Sequence, residues 1–185
     1  MSDKKPMVLV FAGPNGSGKS TITGFFEIVG AYTNADEIVK TMNITNQEAA
    51  EYVDRMRYNA IERNEDFTFE TVLSSEYKID LLKKAKENGY FIKCIFVLTV
   101  NPYTNVARVK ARAASGGHDV EEKLVISRYH KSLKNIRALM ELCDILHVYD
   151  NTQEPMRIVR KHKDDISVFP NQFWNEEELL DLIGY

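Results

Sequence analysis

Residues 13–20 read Gly13-Pro14-Asn15-Gly16-Ser17-Gly18-Lys19-Ser20, a complete G-x-x-x-x-G-K-[ST] phosphate-binding loop. The residues just before it, Val8-Leu9-Val10-Phe11, are an apolar run with strand preference. The residues after it, Thr21-Ile22-Thr23-Gly24-Phe25-Phe26-Glu27, can start a helix near Lys19. Strand, glycine loop and helix in that order are the context the motif requires.

The residue types follow from the ligand. A loop that wraps a polyphosphate must aim several backbone N–H groups inward, and side chains there obstruct it. Gly13, Gly16 and Gly18 remove the Cβ and permit positive φ. The start of the helix adds its positive dipole end. Lys19 is placed to bridge the β- and γ-phosphates, and the Ser20 hydroxyl to ligate Mg²⁺. Thr21 offers a hydroxyl to the α-phosphate. The expected cofactors are therefore ATP, with GTP left open by the loop itself, and Mg²⁺. The nucleotide site spans Gly13, Pro14, Asn15, Gly16, Ser17, Gly18, Lys19, Ser20 and Thr21. Asn151, after the last parallel strand, is expected near the adenine.

The chain has 185 residues, enough for one α/β domain with a sizeable core. A net charge of −3 gives no overall basic field to attract nucleic acid or an anionic membrane. Lysines and arginines concentrate between Arg108 and Lys163, where a phosphate-handling lid would lie. Cys94 and Cys143 sit in or beside apolar segments and read as reduced core residues of a cytoplasmic protein, although the sequence also permits a bridge. The apolar run after Lys4-Lys5 is too short for a signal peptide, and no segment approaches the roughly 20 apolar residues of a membrane span.

Apolar runs alternate with helical patterns, which predicts parallel β-α units. Strands are expected at Met7 to Ala12, Ala31 to Asn34, Phe67 to Thr71, Tyr90 to Val100 and Ile145 to Tyr149. Helices are expected at Gln47 to Glu62, Glu76 to Asn88, Tyr103 to Ala114 and, as one long element, Glu121 to Cys143. Tyr129, Leu133, Ile136 and Met140 form an apolar stripe on that last helix. Met156 to Phe169 reads as an antiparallel hairpin turning at Lys163-Asp164, and Asn175 to Ile183 as a final helix over Trp174. The expected fold is α/β, a P-loop NTPase/kinase three-layer sandwich with a mostly parallel sheet and a helical lid. Residues 1–185 form a single domain in this reading, with the lid at about 108–128 and the C-terminal hairpin plus helix at about 156–183.

Candidate chemistry clusters at the strand ends. Asp36 follows the second strand, where an acid can accept the proton of an acceptor hydroxyl. The same position suits a helix N-cap, so both readings stand, with Glu37 the second choice for the base. Glu70 ends the third strand and is placed to hold Mg²⁺ through water or to bind substrate hydroxyls; Thr71, Ser74 and Ser75 follow as polar substrate contacts. Arg108 and Arg112 are four apart on one helix face. Gly116-Gly117-His118 follows, and Arg128 lies on the next helix with Ser132 and Asn135. Two arginine-bearing helices joined by a glycine turn suit a lid that closes over migrating phosphate charge. No run of four apolar residues ends in Asp, which argues against motor and transport ATPases.

With Asn34-Ala35-Asp36, Phe67-Thr68-Phe69-Glu70-Thr71, Arg108-x-x-x-Arg112, Gly116-Gly117-His118-Asp119-Val120 and Ser127-Arg128-Tyr129 beside the loop, the chain from about Val8 to Asn151 resembles the zeta toxin family of P-loop kinases. More closely, it is similar to the short, stand-alone zeta-toxin-like bacterial proteins. The resemblance implies an ATP-dependent phosphotransferase acting on an alcohol group, the 3′-hydroxyl of the amino sugar in UDP-N-acetylglucosamine. It implies Lys19, Asp36, Arg112 and Arg128 as catalytic residues, with Asp36 the base. It implies Glu70, Thr71, Arg108 and His118 on the substrate side. Val72 stands where the family has a substrate threonine, and His118 stands at the second lid-arginine position, with Arg128 as the substitute. Family toxins are often neutralised by a small helical antitoxin, so the implied partners are ATP, a small-molecule hydroxyl acceptor and an antitoxin protein. A membrane is excluded from this set, and the charge argues against nucleic acid. The acceptor remains open among the sugar nucleotide, another nucleotide, a sugar or a nucleic-acid end, as does a regulatory ATPase that transfers nothing.

Overall fold

The first strand, β1 (Met7–Ala12), is buried from Val8 to Ala12 because the sheet is covered on both faces there. The protein is described from a computed structural model that covers residues 4–117 and 119–185, with Lys40 by its backbone alone. After β1 come α1 (Lys19–Thr23), β2 (Ala31–Thr33), α2 (Ala35–Met42), α3 (Asn46–Arg63), β3 (Phe67–Thr71), α4 (Glu76–Glu87) and β4 (Phe91–Leu98). Then follow α5 (Pro102–Ala114), α6 (Glu122–Lys134), α7 (Ile136–Leu142), β5 (Ile145–Asp150), β6 (Met156–His162), β7 (Asp165–Val168) and α8 (Glu176–Ile183).

The strands pair in the order β2-β3-β1-β4-β5-β6-β7. The first five are parallel, and β6 and β7 add antiparallel. The expected hairpin is there, turning at Lys163 with φ 56°. β1 lies between β3 and β4, so successive connections leave it toward opposite sides of the sheet. In such sheets the crevice at this switch point, outside the carboxyl ends of the strands, is where ligands bind.

The two faces carry unequal layers. On one face, Val8, Val10, Phe67, Phe69, Cys94, Phe96, Leu146 and Val148 pack with residues of α3, α4, α7 and α8 in one continuous core. On the other face, Leu9, Phe11, Ile95 and Val97 are covered by Ile22 of α1 and by Phe26 and Val29 of the segment after it. The helix that starts at Lys19 is short and ends at Thr23, with Gly24 as its C-cap. Gly24 is a poor helix former. Leaving the helix axis lets Phe26 turn inward onto Phe11, with ring centroids 5.9 Å apart, while Phe25 stays 77% exposed.

The single helix expected from Glu121 to Cys143 is two, α6 and α7, broken at Asn135. The Asn135 backbone N–H bonds Lys131 and Ser132 carbonyls, and its side-chain amide donates to the Leu73 carbonyl at 2.9 Å. The stripe of Tyr129, Leu133, Ile136 and Met140 is buried or half-buried as expected, since the break does not interrupt its facing. Helices α5 and α6 pack on each other through Val106, Val109 and Val125, a cluster separate from the main core. Helix α8 opens on an Asn175 and Glu178 capping box, and Trp174 packs beside it against the core. Cys94 and Cys143 are free, buried neighbours; burial pushes the Cys94 thiol up, and Cys143 adds to the effect. Among the described residues no helix is long and apolar enough to cross a membrane.

His147 of β5 lies on the thinly covered face. Burial lowers its pKa to about 4, helped by Arg157, Lys93, Arg160 and His162. A folded value below the ordinary one means that the fold disfavours the charged ring, so the stability present with the neutral ring depends on pH. That contribution is complete above pH 6.5 and is lost as pH falls through 6.5 toward 4. The half-buried ring makes the loss about 1–2 kcal/mol, below the full linkage value. The urea midpoint of wild type should therefore fall relative to that of His147→Gln as pH drops from 6.5 toward 4. Parallel pH profiles for the two proteins would contradict this.

Candidate active site

The loop between β1 and α1 is held from several directions. Gly13 has φ 143°, and a Cβ there would lie 2.0 Å from the Val97 carbonyl oxygen of β4. Gly18 has φ 89°, and a Cβ would lie 2.1 Å from the Asn151 side-chain nitrogen. The Gly13 N–H bonds the Thr71 carbonyl at 3.2 Å, which ties the loop to the end of β3. From α5, the Asn105 amide donates to the Asn15 carbonyl at 2.7 Å, while its oxygen accepts from the Thr99 hydroxyl. From the end of β5, the Asn151 amide donates to the Ser17 carbonyl at 2.8 Å. From α6, Arg128 Nη1 donates to Asn15 Oδ1 at 3.3 Å. The Ser17 hydroxyl is buried with no hydrogen-bond partner among the described residues.

Lys19 is 9% exposed, and its ammonium donates to the Gly13 and Pro14 carbonyls at 2.8 and 3.2 Å. Burial lowers its pKa; Glu70 and Asp36 oppose that shift, and Arg112 reinforces it. One lysine thus feels two carboxylates and one arginine from α2, β3 and α5, which brings four sequence candidates into one field.

They surround a cavity of about 360 Å³. Its floor is the loop at Asn15, Gly16 and Lys19. Asp36, Glu70, Thr71, Ser74 and Ser75 stand along it, and Arg112 and Arg128 border it. Asp36 is exposed and lies in the first turn of α2. Its alternative as an N-cap is removed, because Asn34 is the cap and accepts from the Asp36 N–H at 3.0 Å. Glu70 Oε2 accepts from the Tyr32 hydroxyl at 3.1 Å. The far wall carries Arg57 and Lys78, which share Asp54. Arg57, 2% exposed, also donates to Thr33 and lies 4.5 Å from the Phe69 ring centroid.

Other candidates sit elsewhere. Arg108 shares a helix with Arg112, yet its Nη2 donates to the Thr152 carbonyl at 3.0 Å and it does not line this cavity. Ser132 and Asn135 also miss the cavity; they donate to the Val72 and Leu73 carbonyls and hold the segment after β3 from behind. Leu73 in that segment has φ 55°, so the two contacts fix a costly backbone. The amide of Asn151 braces the loop through the Ser17 carbonyl. His118 lies outside the described residues. Tyr32, Arg57, Lys78 and Asn105 went unnoticed in the sequence. Only Asn105 left a trace there, as one polar residue between valine and threonine in the first turn of α5.

The donor set fits Mg²⁺. Ser20 is exposed in the first turn of α1, next to the loop, and no group of three His, Cys, Asp or Glu residues forms a metal cage among the described residues. A hard cation that prefers waters and phosphate oxygens suits one hydroxyl better than a protein cage.

The zeta toxin family model matches residues 28–171, a span that begins after the glycine loop. The chain belongs to the zeta toxin family. An uncharacterised protein of Haemophilus influenzae is 34% identical over 128 residues, 65% of this chain and 91% of that protein. In three dimensions the AvrRxo1-ORF1:ORF2 complex superposes with a TM-score of 0.72 at 16% identity, over 97% of this chain and 64% of that one. The same complex solved with ATP gives 0.66 at 15% identity, over 90% and 61%. The chain thus spans slightly less than two thirds of that protein. A chain of the PezAT chromosomal toxin–antitoxin system of Streptococcus pneumoniae superposes with a TM-score of 0.63 at 14% identity, over 98% of this chain and 80% of that one. These likenesses give the fold, that of a P-loop kinase of the zeta toxin family.

The braces make a prediction. Asn151→Ala frees the Ser17 carbonyl and loosens the loop, so the dissociation constant for Mg²⁺·ATP should rise roughly five- to tenfold. Arg108→Ala should leave it within about twofold. Isothermal titration checks both; equal losses would contradict a bracing role specific to Asn151.

Proposed function

We propose that this protein is an ATP-dependent kinase that phosphorylates the 3′-hydroxyl of the amino sugar of UDP-N-acetylglucosamine. The observation that carries the reading is the cavity itself: it runs from the phosphate loop to Asp36 and Glu70, with Arg112 and Arg128 at its border. Family membership supports the chemistry, and the ATP complex of AvrRxo1-ORF1:ORF2 supports the nucleotide.

In the proposed reaction the triphosphate lies in residues 13–21, with Lys19 on the β- and γ-phosphates. For that, its ammonium exchanges the Gly13 and Pro14 carbonyls for phosphate oxygens. Ser20 and phosphate oxygens would hold Mg²⁺, which would supply charge neutralisation to the triphosphate. The acceptor lies between Asp36 and Glu70. Asp36 takes the hydroxyl proton as the oxygen attacks the γ-phosphorus, the bond to the ADP oxygen breaks, and ADP leaves. Arg112 and Arg128 stabilise the transferring phosphoryl group. Arg128 serves as the second lid arginine, already anchored to Asn15. Helices α5 and α6 act as the lid. Arg57 and Lys78 give the far wall the positive charge that the diphosphate of a sugar nucleotide needs. Most of the acceleration comes from positioning and charge neutralisation. Toxin–antitoxin neighbours support an antitoxin partner, and the buried free thiols support a cytoplasmic setting.

The test is ATP consumption with and without UDP-N-acetylglucosamine. Wild type should be stimulated by the sugar nucleotide. Asp36→Ala should bind ATP nearly as well and lose about 10²–10⁴-fold in stimulated turnover. Full turnover by Asp36→Ala would discard the base. No stimulation of wild type would discard the acceptor.

A further inference from the structure

Along the cavity wall, a chain of hydrogen bonds runs from the Asp36 backbone N–H to the Glu70 carboxylate. The Asp36 N–H donates to Asn34 Oδ1 at 3.0 Å. Asn34 Nδ2 donates to the Tyr32 hydroxyl oxygen at 3.4 Å. The Tyr32 hydroxyl donates to Glu70 Oε2 at 3.1 Å. We infer that Asn34 and Tyr32 form a polarised strap that fixes Glu70 as a hydrogen-bond acceptor, so the acceptor substrate must present hydrogen-bond donors to Glu70.

The direction of every bond follows from the first. A helix N-cap must offer an oxygen to the backbone of the first turn, so the Asn34 carbonyl oxygen faces Asp36. Its amide nitrogen, which only donates, is left for Tyr32. The Tyr32 oxygen takes that donor, so its single proton goes to Glu70. Oε2 of Glu70 thus receives a donor, and the carboxylate keeps its remaining lone pairs for the cavity. Burial, with Glu70 beside it, pushes Tyr32 up to about 12, so the phenol keeps that proton at working pH. The helix cap that opens α2 therefore sets the polarity of a site on the neighbouring strand. Asn34 is at the end of β2, and β2 pairs with β3 through Ala31–Phe67, Tyr32–Thr68 and Thr33–Phe69, so the strap crosses a fixed pair of strands.

Tyr32 and Asn34 are positioning residues in this account: neither needs to touch substrate. The account rests on the reading of the cavity as the acceptor site.

The variants separate the strap from the cap. Asn34→Asp still caps α2 through a carboxylate oxygen but has no donor for Tyr32. Tyr32→Phe keeps the ring and removes the hydroxyl. Each should raise the acceptor KM roughly tenfold, the worth of a hydrogen bond to a charged group, and leave the ATP KM and the melting temperature close to wild type. In a Glu70→Gln background Tyr32→Phe should add less than about twofold, because its effect runs through the carboxylate. Crystal structures of both variants should show Glu70 displaced or in several rotamers. Unchanged acceptor KM values, full additivity with Glu70→Gln, or a Glu70 that stays in place would overturn the strap. Wild type unresponsive to UDP-N-acetylglucosamine would reject the acceptor reading alone, and the variant crystal structures would then decide the strap without it.

Discussion

The glycine loop at residues 13–20 must hold an open ring of backbone N–H groups, and it cannot hold that shape by itself. Its backbone adopts positive φ at Gly13, Gly16 and Gly18. Side chains from three distant elements oppose its collapse: Asn105 on α5, Arg128 on α6 and Asn151 after β5. The rest of the molecule can be read as the support for those braces. The parallel sheet sets β5 beside β4, where Asn151 meets the loop, and the packing of α5 on α6 carries Asn105 and Arg128 to it. A loop whose shape depends on α5 and α6 is also mechanically linked to the helices expected to close over the nucleotide.

The same economy of parts appears at the acceptor side. Asn34 ends a strand, starts a helix and orients Tyr32. Asn135 separates α6 from α7 and, with Ser132, fixes the segment that follows Glu70. Arg57 holds β2 to α3 while lining the far wall. Structural and functional duties fall on the same residues because the cavity is built at the strand ends, where backbone groups lose their sheet partners and need side chains to satisfy them.

Local signals carried most of the fold. The strand, loop and helix around Lys19, the apolar strands, the hairpin at Lys163 and the capped final helix depend on residues near each other in sequence, and all were legible. The family resemblance added the grouping of Lys19, Asp36, Glu70 and Arg112, which the structure brings around one cavity. What stayed hidden depends on partners far along the chain. Helical spacing put Arg108 beside Arg112, but only the fold reveals that Thr152 takes its guanidinium. An acid at a helix start reads as a cap until the neighbouring asparagine is seen to do that work. A short first helix followed from the need of Phe26 to reach Phe11, a packing demand with no local marker. Tyr32 looked like one more strand aromatic, because its partner Glu70 lies 38 residues away.

The most direct test of the account is the fate of the γ-phosphate. ATP labelled there would be incubated with the protein, Mg²⁺ and UDP-N-acetylglucosamine, and the products separated into sugar nucleotide and inorganic phosphate. The account predicts label in the sugar nucleotide, on the 3′-hydroxyl of its amino sugar. Label found only in inorganic phosphate would contradict it, because the cavity beside Asp36 and Glu70 would then be positioning water rather than an acceptor.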